Sequence, residues 1–354
     1  MLNKTTIFNF KCFSSTEFVT DSAFNIFEGL RDSGKSSVLD AIFFSCRGKS
    51  AFNIPARHLV SNFTDSNGFS ISTHFNSNDK FACIFQDRKT IFSNFDDQLN
   101  LASRVLMQPC VFFNRKSFDI IGASVASRRQ LLLWFMFYFF PEFPPLWKNY
   151  TTALRSRSAL LQSFTFDKKM FYALNELIVC YLRNFLDMFN CLSEVFSDLF
   201  KCYIQAFAPI FIDYELQLSP GFTPELFDFL LNTNFDFIIS NSKKSFFNSG
   251  IHLCSFKILS DTIDCKYFLS QSNADFLSLL IVLVMSYLLS TKKFSPLILL
   301  DEPDVTMLAF IDSFIGSKFF SQNFSQFWIS CLPTPDIQSL RNNKLFHVEH
   351  GAIF

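Results

Sequence analysis

The chain has 354 residues, more than one hydrophobic core usually serves, so two lobes are expected. Its 31 basic and 31 acidic residues balance, so no overall positive field marks a nucleic-acid-binding protein, and any such contact must come from local patches. The ten cysteines form no Cys-x-x-Cys pair or ligand spacing, which argues against a zinc site or a disulfide framework and predicts reduced thiols.

The first informative stretch fits the phosphate-loop pattern of Gly, four residues and Gly-Lys-Ser. A short apolar strand precedes it and an apolar helix follows, which is the context that the motif requires. Glycines at both ends let the loop turn its N–H groups inward, and with the positive end of the helix these groups form a cradle for a polyphosphate. The predicted nucleotide ligands are Gly29, Leu30, Arg31, Asp32, Ser33, Gly34, Lys35, Ser36 and Ser37.

Roles within this loop follow from the chemistry of the side chains. Lys35 is expected to reach the β- and γ-phosphates, and the Ser36 hydroxyl is expected to bind Mg²⁺. A Gly-Lys-Ser turn without a ligand is the alternative interpretation.

Downstream of the loop helix, short alternating segments from 69 to 95 predict an antiparallel meander. An apolar helix follows at 131–140, and 166–207 has apolar residues at helical spacing, which predicts one or two long amphipathic helices. A second apolar helix is predicted at 276–289. Both apolar helices are shorter than the roughly 20 residues that span a bilayer, so we expect buried helices and no membrane segment.

A second acidic motif lies near the other end of the sequence, where the apolar strand 296–300 ends at Asp301 and Glu302. Such a strand must be covered on both faces, and its two carboxylates are costly to desolvate unless a cation compensates them. We predict that Asp301 holds Mg²⁺ through water together with Ser36, and that Glu302 orients or deprotonates the attacking water. The wide separation of the two motifs indicates a head that is split by an insertion.

The order of these motifs resembles the RecF family of bacterial DNA replication and repair proteins, relatives of the SMC-type ATPases. The resemblance also includes Gln108, which precedes the Arg128-Arg129 pair and the apolar helix after it. The segments that carry it are 29–37, 106–134, 296–303 and 346–353.

The resemblance implies an α/β fold: an ABC/SMC-type P-loop ATPase head, with a mixed sheet and an antiparallel meander, and an inserted helical lobe. It assigns 1–122 to the N-terminal part of the head, 123–208 to the lobe and 209–354 to the C-terminal part of the head. It also adds Gln108 to the nucleotide and Mg²⁺ ligands.

Several positions depart from the family pattern. Ser270 lies where the ABC signature contacts the nucleotide of a second protomer, so it is a predicted phosphate ligand in trans, but Ser272 replaces the usual glycine. The strand that ends at Asp301 and Glu302 corresponds to the Walker B motif, and the acidic residue that the family has after this motif is missing from 305–308. Of a family Gly-Pro-His motif only Gly250 and His252 remain, and the histidine can equally be a core residue. The altered signature and the missing acidic residue favour a weak dimer and slow turnover.

The functional expectations come from the resemblance. It implies ATP and Mg²⁺ as cofactors, an ATP-dependent homodimer, and binding to single-stranded and gapped duplex DNA. It further implies action with RecR and RecO in loading RecA, roles in replication-fork recovery and the SOS response, and a cytoplasmic location. Any enzymatic activity is expected to be weak, DNA-stimulated ATP hydrolysis. The candidate DNA contacts are Arg128, Arg129, Arg155, Arg157, Lys243, Lys244, Lys292 and Lys293, each with ordinary surface charge as the alternative.

Two other classes of protein stay open. One is a degenerate family member that holds ATP as a scaffold with little or no hydrolysis, which the altered signature supports and the intact Asp301-Glu302 pair opposes. The other is the ATPase subunit of an ABC transporter, which the Leu-Leu-Asp-Glu-Pro strand end suggests and the helical insertion opposes.

Overall fold

The computed structural model describes residues 1–62, 67–75, 79–94, 97–114, 120–122, 124–162, 167–232, 249–317, 326–333 and 343–354. The chain divides into two compact units, and we name them the head (Met1–Phe118 and Ser286–Phe354) and the lobe (Asp119–Met285). The fold is α/β with mixed sheets, as expected for an ABC/SMC-type ATPase head. The lobe continues past the predicted boundary at residue 208.

The described part of the head contains two six-stranded sheets. Their strands are β1 (Leu2–Phe10), β2 (Phe13–Val19), β3 (Phe24–Glu28), β4 (Phe69–Phe75), β5 (Lys80–Gln86), β6 (Lys89–Asn94), β7 (Asp97–Leu99), β8 (Cys110–Asn114), β12 (Leu297–Asp301), β13 (Gln326–Cys331), β14 (Asn343–Glu349) and β15 (Ala352–Ile353). One sheet is the predicted antiparallel meander, in the order β2-β1-β4-β5-β6-β7. The other has the order β15-β14-β3-β13-β12-β8 and is parallel except for β15.

Helix α1 (Lys35–Arg47) contacts strands of both head sheets. It starts after Gly34, whose φ is 116°, and stops at Gly48, whose φ of 66° is the left-handed conformation that glycine adopts without a Cβ penalty. Its apolar residues occur on every side, so it is buried almost throughout. The described part of the head also contains two shorter helices, α2 (Leu101–Met107) and α8 (Val305–Ile315).

The described lobe contains helices and a small sheet. Its helices are α3 (Val125–Phe139), α4 (Phe143–Gln162), α5 (Lys168–Phe207), α6 (Glu225–Asn232) and α7 (Gln271–Thr291), the last of which extends beyond residue 285. The sheet has the order β11-β10-β9 and consists of β9 (Tyr214–Ser219), β10 (Ser255–Ser260) and β11 (Ile263–Asp264).

The long amphipathic segment forms a single helix of 40 residues, α5. Its buried side chains recur at helical spacing, for example Phe185, Phe189, Leu192 and Phe196. The Ser197 hydroxyl donates a hydrogen bond to the Leu216 carbonyl of β9 at 3.1 Å. This pairing across the predicted boundary explains why the lobe does not end at residue 208.

Among the helices in the described ranges, α7 is the one with the length and apolarity of a membrane span, with a mean hydropathy of 1.9. It is longer than the predicted 276–289 segment. Because 72% of its most apolar part is buried inside the protein, it also fits the core helix of a globular fold, and it is weak evidence for a membrane.

Candidate nucleotide-binding site

The carboxyl ends of the parallel strands meet at one edge of the head sheet. In register, His347 of β14 and Cys331 of β13 lie opposite Glu28 of β3, the residue before the phosphate loop. Asp301 at the end of β12 lies opposite Asn114 of β8. Open α/β sheets bind ligands at this edge, so the fold places both sequence motifs where a ligand site is expected.

The phosphate loop has a backbone path that depends on its glycines. A Cβ atom on Gly29 would lie 2.3 Å from the carbonyl oxygen of Val348, so a side chain cannot be accommodated there. Gly34 has a φ of 116°, and Asp32 adopts the left-handed conformation with a φ of 62°. The Gly351 N–H in the β14–β15 turn donates to the Ser33 carbonyl at 3.2 Å, so the hairpin supports the loop from one side.

Lys35 lies inside the curve of this loop. Its side chain is almost fully buried, and its ammonium donates to the carbonyls of Gly29 at 2.9 Å and Leu30 at 2.6 Å. In the described ranges, no carboxylate lies within 4.0 Å of this ammonium. A buried cation that has only carbonyl dipoles for partners is favourable for an anion such as a phosphate.

The two motifs meet through hydrogen bonds. Ser36 Oγ, at the start of α1, donates to Asp301 Oδ1 at 2.7 Å. The hydroxyl of Ser330, on the neighbouring strand β13, donates to the same oxygen at 2.5 Å. The Glu302 N–H donates to the Ser330 hydroxyl and to the Ser330 carbonyl, both at 3.1 Å. Ser330 therefore contacts both acidic positions, and no sequence motif identified it.

A pocket of about 380 Å³ lies between the phosphate loop and Glu302. Glu302, whose φ is 55°, reaches it from the strand end, and Cys12 reaches it from the β1–β2 turn. The other lining residues are Arg31, Asp32, Gly34, Lys35, Ser36 and Ser37. Burial raises the pKa of the Cys12 thiol, so Cys12 is a neutral wall of the pocket rather than a nucleophile.

The oxygen donors at this edge fit Mg²⁺. Protein-bound Mg²⁺ uses one or two carboxylates together with substrate phosphates and water, and Asp301 and Ser36 supply one carboxylate and one hydroxyl. Asp301 is only 8% exposed, and both of its hydroxyl contacts are to one oxygen. Among the described residues, no group of three or more His, Cys, Asp or Glu side chains could hold a metal ion.

Gln108 does not lie near the other predicted Mg²⁺ ligands, Ser36 and Asp301. Its amide donates to the carbonyls of Ser295 at 2.7 Å and Pro109 at 3.2 Å, at the amino end of β8. Asp301 lies at the carboxyl end of the adjacent parallel strand, roughly 20 Å away at 3.3 Å per residue. The prediction that Gln108 contacts Mg²⁺ and nucleotide is therefore wrong for this structure. Asn114, which ends β8 opposite Asp301, is the polar residue that β8 brings to this edge.

Two of the predicted DNA contacts are buried in the lobe. Arg128 is 2% exposed and donates to the Ile121 carbonyl at 3.2 Å. Arg157 is 1% exposed, and its Nε donates to Asn175 Oδ1 at 2.7 Å. Burial lowers the pKa of Arg157 to about 10. The prediction that these two side chains contact DNA is wrong, because neither guanidinium reaches the surface.

The remaining basic candidates differ from one another. Arg129 is half-buried and donates to the His252 carbonyl at 2.6 Å, which favours a structural role for both residues. Arg155, Lys292 and Lys293 are exposed, so their predicted roles stay open. Lys243 and Lys244 lie outside the described residues.

The predicted signature segment and the segment after Asp301-Glu302 each lie at the start of a helix. The Ser270 hydroxyl is exposed and accepts a long hydrogen bond of 3.4 Å from the Asn273 N–H near the start of α7. Asp304 caps α8 by accepting from the Met307 N–H at 2.8 Å. Contact between Ser270 and the nucleotide of a second protomer stays a prediction.

Comparison with known proteins gives a consistent result, although no family model matches the chain. The DNA replication and repair protein RecF of Acinetobacter baylyi is 32% identical over 143 residues, which are 40% of this chain and 39% of that protein. RecF of Shewanella pealeana is 26% identical over 200 residues, covering 53% of this chain and 55% of that protein. The matched part thus spans between two-fifths and just over half of these relatives.

Solved structures match over the full length. A structure of the recombination mediator protein RecF with ATP aligns with a TM-score of 0.79 and 18% identity, covering 100% of this chain and 98% of that one. An SMC head bound to the C-terminal winged-helix domain of ScpA aligns with a TM-score of 0.54 and 14% identity. At these identities the structures establish the fold. Taken with the sequence relatives, this fold supports a divergent member of the RecF family.

Proposed function

We propose that the chain is a RecF-type recombination mediator that binds ATP with Mg²⁺ in its head and uses the nucleotide to control its affinity for DNA. The observation that carries this proposal is the hydrogen bond from Ser36 Oγ to Asp301 Oδ1, which joins the phosphate loop to the acidic strand end. DNA is proposed as the ligand because the relatives are named DNA replication and repair proteins.

The residues of the pocket have complementary roles in this proposal. The α1 amides and the Lys35 ammonium bind the β- and γ-phosphates, since a helix N-terminus and a charge-assisted donor both stabilise anions. Ser36 and Asp301 hold Mg²⁺, which when bound neutralises charge on the phosphates. Glu302 orients the attacking water and accepts its proton. Two N–H hydrogen bonds to Ser330 hold the Glu302 backbone.

At the cellular level, the proposal includes a homodimer that closes around ATP and binds gapped duplex or junctions of single- and double-stranded DNA. It also includes cooperation with RecR and RecO in loading RecA, replication-fork recovery, a part in the SOS response, and a cytoplasmic location. The support for these finer assignments is the RecF resemblance alone.

A second candidate function is an ATP-binding scaffold of the same family with little hydrolysis. The specific observation in its favour is Ser272, which places a side chain where the signature normally has glycine. Turnover measured with gapped DNA for the natural chain and for Glu302→Gln separates the two. Hydrolysis that is absent in both proteins, while ATP still binds, would favour the scaffold.

The central test is nucleotide binding by Lys35→Ala, with the exposed Lys49→Ala as a matched control. Losing charge-assisted hydrogen bonds of about 1.5–3 kcal/mol should weaken ATP binding by roughly 10- to 150-fold, and the control should bind normally. Sedimentation with ATP, ADP or no nucleotide, each with gapped duplex, then reports the dimer and the DNA complex. Unchanged ATP affinity in Lys35→Ala would contradict the site assignment.

A further inference from the structure

We propose that a second cleft of the head, separate from the nucleotide pocket, binds the sugar-phosphate backbone of nucleic acid. We name it the basic cleft, and its volume is about 740 Å³. It is lined by Arg57, His58, Val60, Ser61, Asn62, Asn67, Phe85, Asp87 and Arg88. No residue of this set lines the nucleotide pocket. The inference rests on the proposed function, because it assumes that the protein engages DNA.

The two arginines come from different turns. Arg57 belongs to a 3-10 turn at Ala56–His58, and Arg88 belongs to the two-residue turn between β5 and β6. Gln86 pairs with Lys89 across that turn, which leaves only Asp87 and Arg88 to connect the strands. Such a short connection fixes the position of Arg88 at the end of the hairpin.

Two of the segments that line the basic cleft, the one with Arg57 and Ser61 and the one with Asn67, are tied to β1. The Ser61 N–H donates to the Asn9 carbonyl at 3.0 Å, and the Asn9 side-chain amide donates to the carbonyl of Gly68. Asn9 is fully buried, so one residue anchors both the segment that carries Arg57 and the segment of Asn67 and Gly68 that precedes β4. Because these two segments are held by hydrogen bonds, a ligand does not have to order them, which lowers the cost of binding.

The charge in the basic cleft is positive and not neutralised. Arg57 and Arg88 are both exposed, and within the described ranges no carboxylate lies within 4.0 Å of either guanidinium. Arg57 Nε donates to His58 Nε2 at 3.0 Å, which requires that ring nitrogen to be an acceptor. Asp87 is the single acidic residue of the lining, so two positive charges face one negative charge.

The side chains match those that bind nucleic-acid backbones. Phosphate oxygens in such complexes accept hydrogen bonds mainly from Arg and Lys and from Ser, Thr, Asn and Gln, and the basic cleft offers two guanidiniums and the amides of Asn62 and Asn67. Guanidinium also fits phosphate in a bidentate geometry. Backbone contacts carry no sequence information, so the expected binding is independent of base sequence.

The test is the salt dependence of DNA binding by the double variant Arg57→Gln/Arg88→Gln. The control is Lys80→Gln/Arg183→Gln, which removes the same charge from exposed positions outside the basic cleft. Fluorescence anisotropy with a labelled gapped duplex is measured between 50 and 300 mM NaCl, on the order of the range where counterion release dominates. Two unrelated base sequences are compared.

Loss of two phosphate contacts should reduce the slope of log K against log salt by about 1.8, which is about 30-fold in affinity at 0.15 M salt. The reduction should be equal for both sequences and absent in the control, and ATP binding should be unchanged. An unchanged slope, or equal losses in both double variants, would overturn the basic cleft and favour another partner, such as an acidic protein surface. If the natural chain itself does not bind DNA, the proposed function fails first, so the two failures are distinguishable.

Discussion

Replacing Ser330 by alanine should weaken the response of nucleotide binding to Mg²⁺. The Ser330 hydroxyl donates to Asp301 Oδ1 at 2.5 Å and accepts from the Glu302 N–H, so the variant removes one of two hydroxyl contacts to a carboxylate that is 8% exposed. A hydrogen bond to a charged group contributes about 1.5–3 kcal/mol. Glu302 keeps its contact with the Ser330 carbonyl, so we use the lower value of about 1.5 kcal/mol. This corresponds to roughly tenfold weaker Mg²⁺ binding.

The measurement is a titration of fluorescent ATP binding with Mg²⁺. In Ser330→Ala the Mg²⁺ concentration at half-maximal response should rise by roughly tenfold, while binding without Mg²⁺ stays near normal because the phosphate loop is unaltered. Ser330→Thr keeps a hydroxyl and should restore the response. Ser45→Ala, which removes another buried serine hydroxyl of the head, is the matched control. A normal Mg²⁺ midpoint in a Ser330→Ala protein of normal stability would contradict this role of Ser330.

Two further predictions concern stability. Arg157→Ala should lower the unfolding free energy by about 2–5 kcal/mol, because it leaves a cavity in the core and removes a hydrogen bond to Asn175. The exposed Arg155→Ala should lower it by less than about 0.5 kcal/mol. Chemical denaturation measures both variants, and equal losses would contradict the buried role. Hydrogen bonding with Cys110 and the nearby Arg104 charge lower the pKa of the Cys46 thiol, while burial raises the pKa of the Cys110 thiol. A lowered thiol pKa adds stability that is fully present above the free-thiol value of about 8.5 and is lost as the pH falls below it. Cys46→Ala should therefore reduce the rise of the unfolding free energy between about pH 6 and 8.5, and an unaltered pH profile would contradict this role of Cys46.

The nucleotide motifs could be located from sequence because their chemistry is local. A phosphate loop needs glycines, a lysine and a hydroxyl at fixed spacing, and an apolar strand end that carries two acids is a short pattern as well. The strand order that joins Ser36 to Asp301 is not local, and it was inferred only from the pairing of the motifs. Ser330 was missed because a serine in an apolar strand has no motif, although its place one strand from Asp301 decides its role.

The predictions for Arg128 and Arg157 were wrong for a reason that helical spacing could have revealed. In α4, Arg157 follows Leu146, Tyr150 and Ala153 at intervals of four, three and four residues, and all four side chains lie on one buried face. Arg128 has the same relation to Leu132 in α3. Positive charge alone does not show exposure, and the periodicity of the neighbours is the better guide.

The lobe boundary could not be predicted because it depends on tertiary pairing. Residues 214–264 contain short strands that the sequence allows in either unit, and their attachment to α5 assigns them to the lobe. The hydrogen bond from Ser197 to Leu216 joins α5 to β9, and no local sequence pattern predicts that these two elements pair.

The contact between Ser36 and Asp301 has a consequence for biogenesis, because 265 positions separate them in the chain. Ribosomes add about 5–20 residues per second, so the phosphate loop emerges about 13 to 53 s before the acid that completes its pocket. If the proposed function holds, ATP meets a complete pocket only after translation has passed the entire lobe. Stabilisation by nucleotide is therefore expected to act late in the folding of this protein.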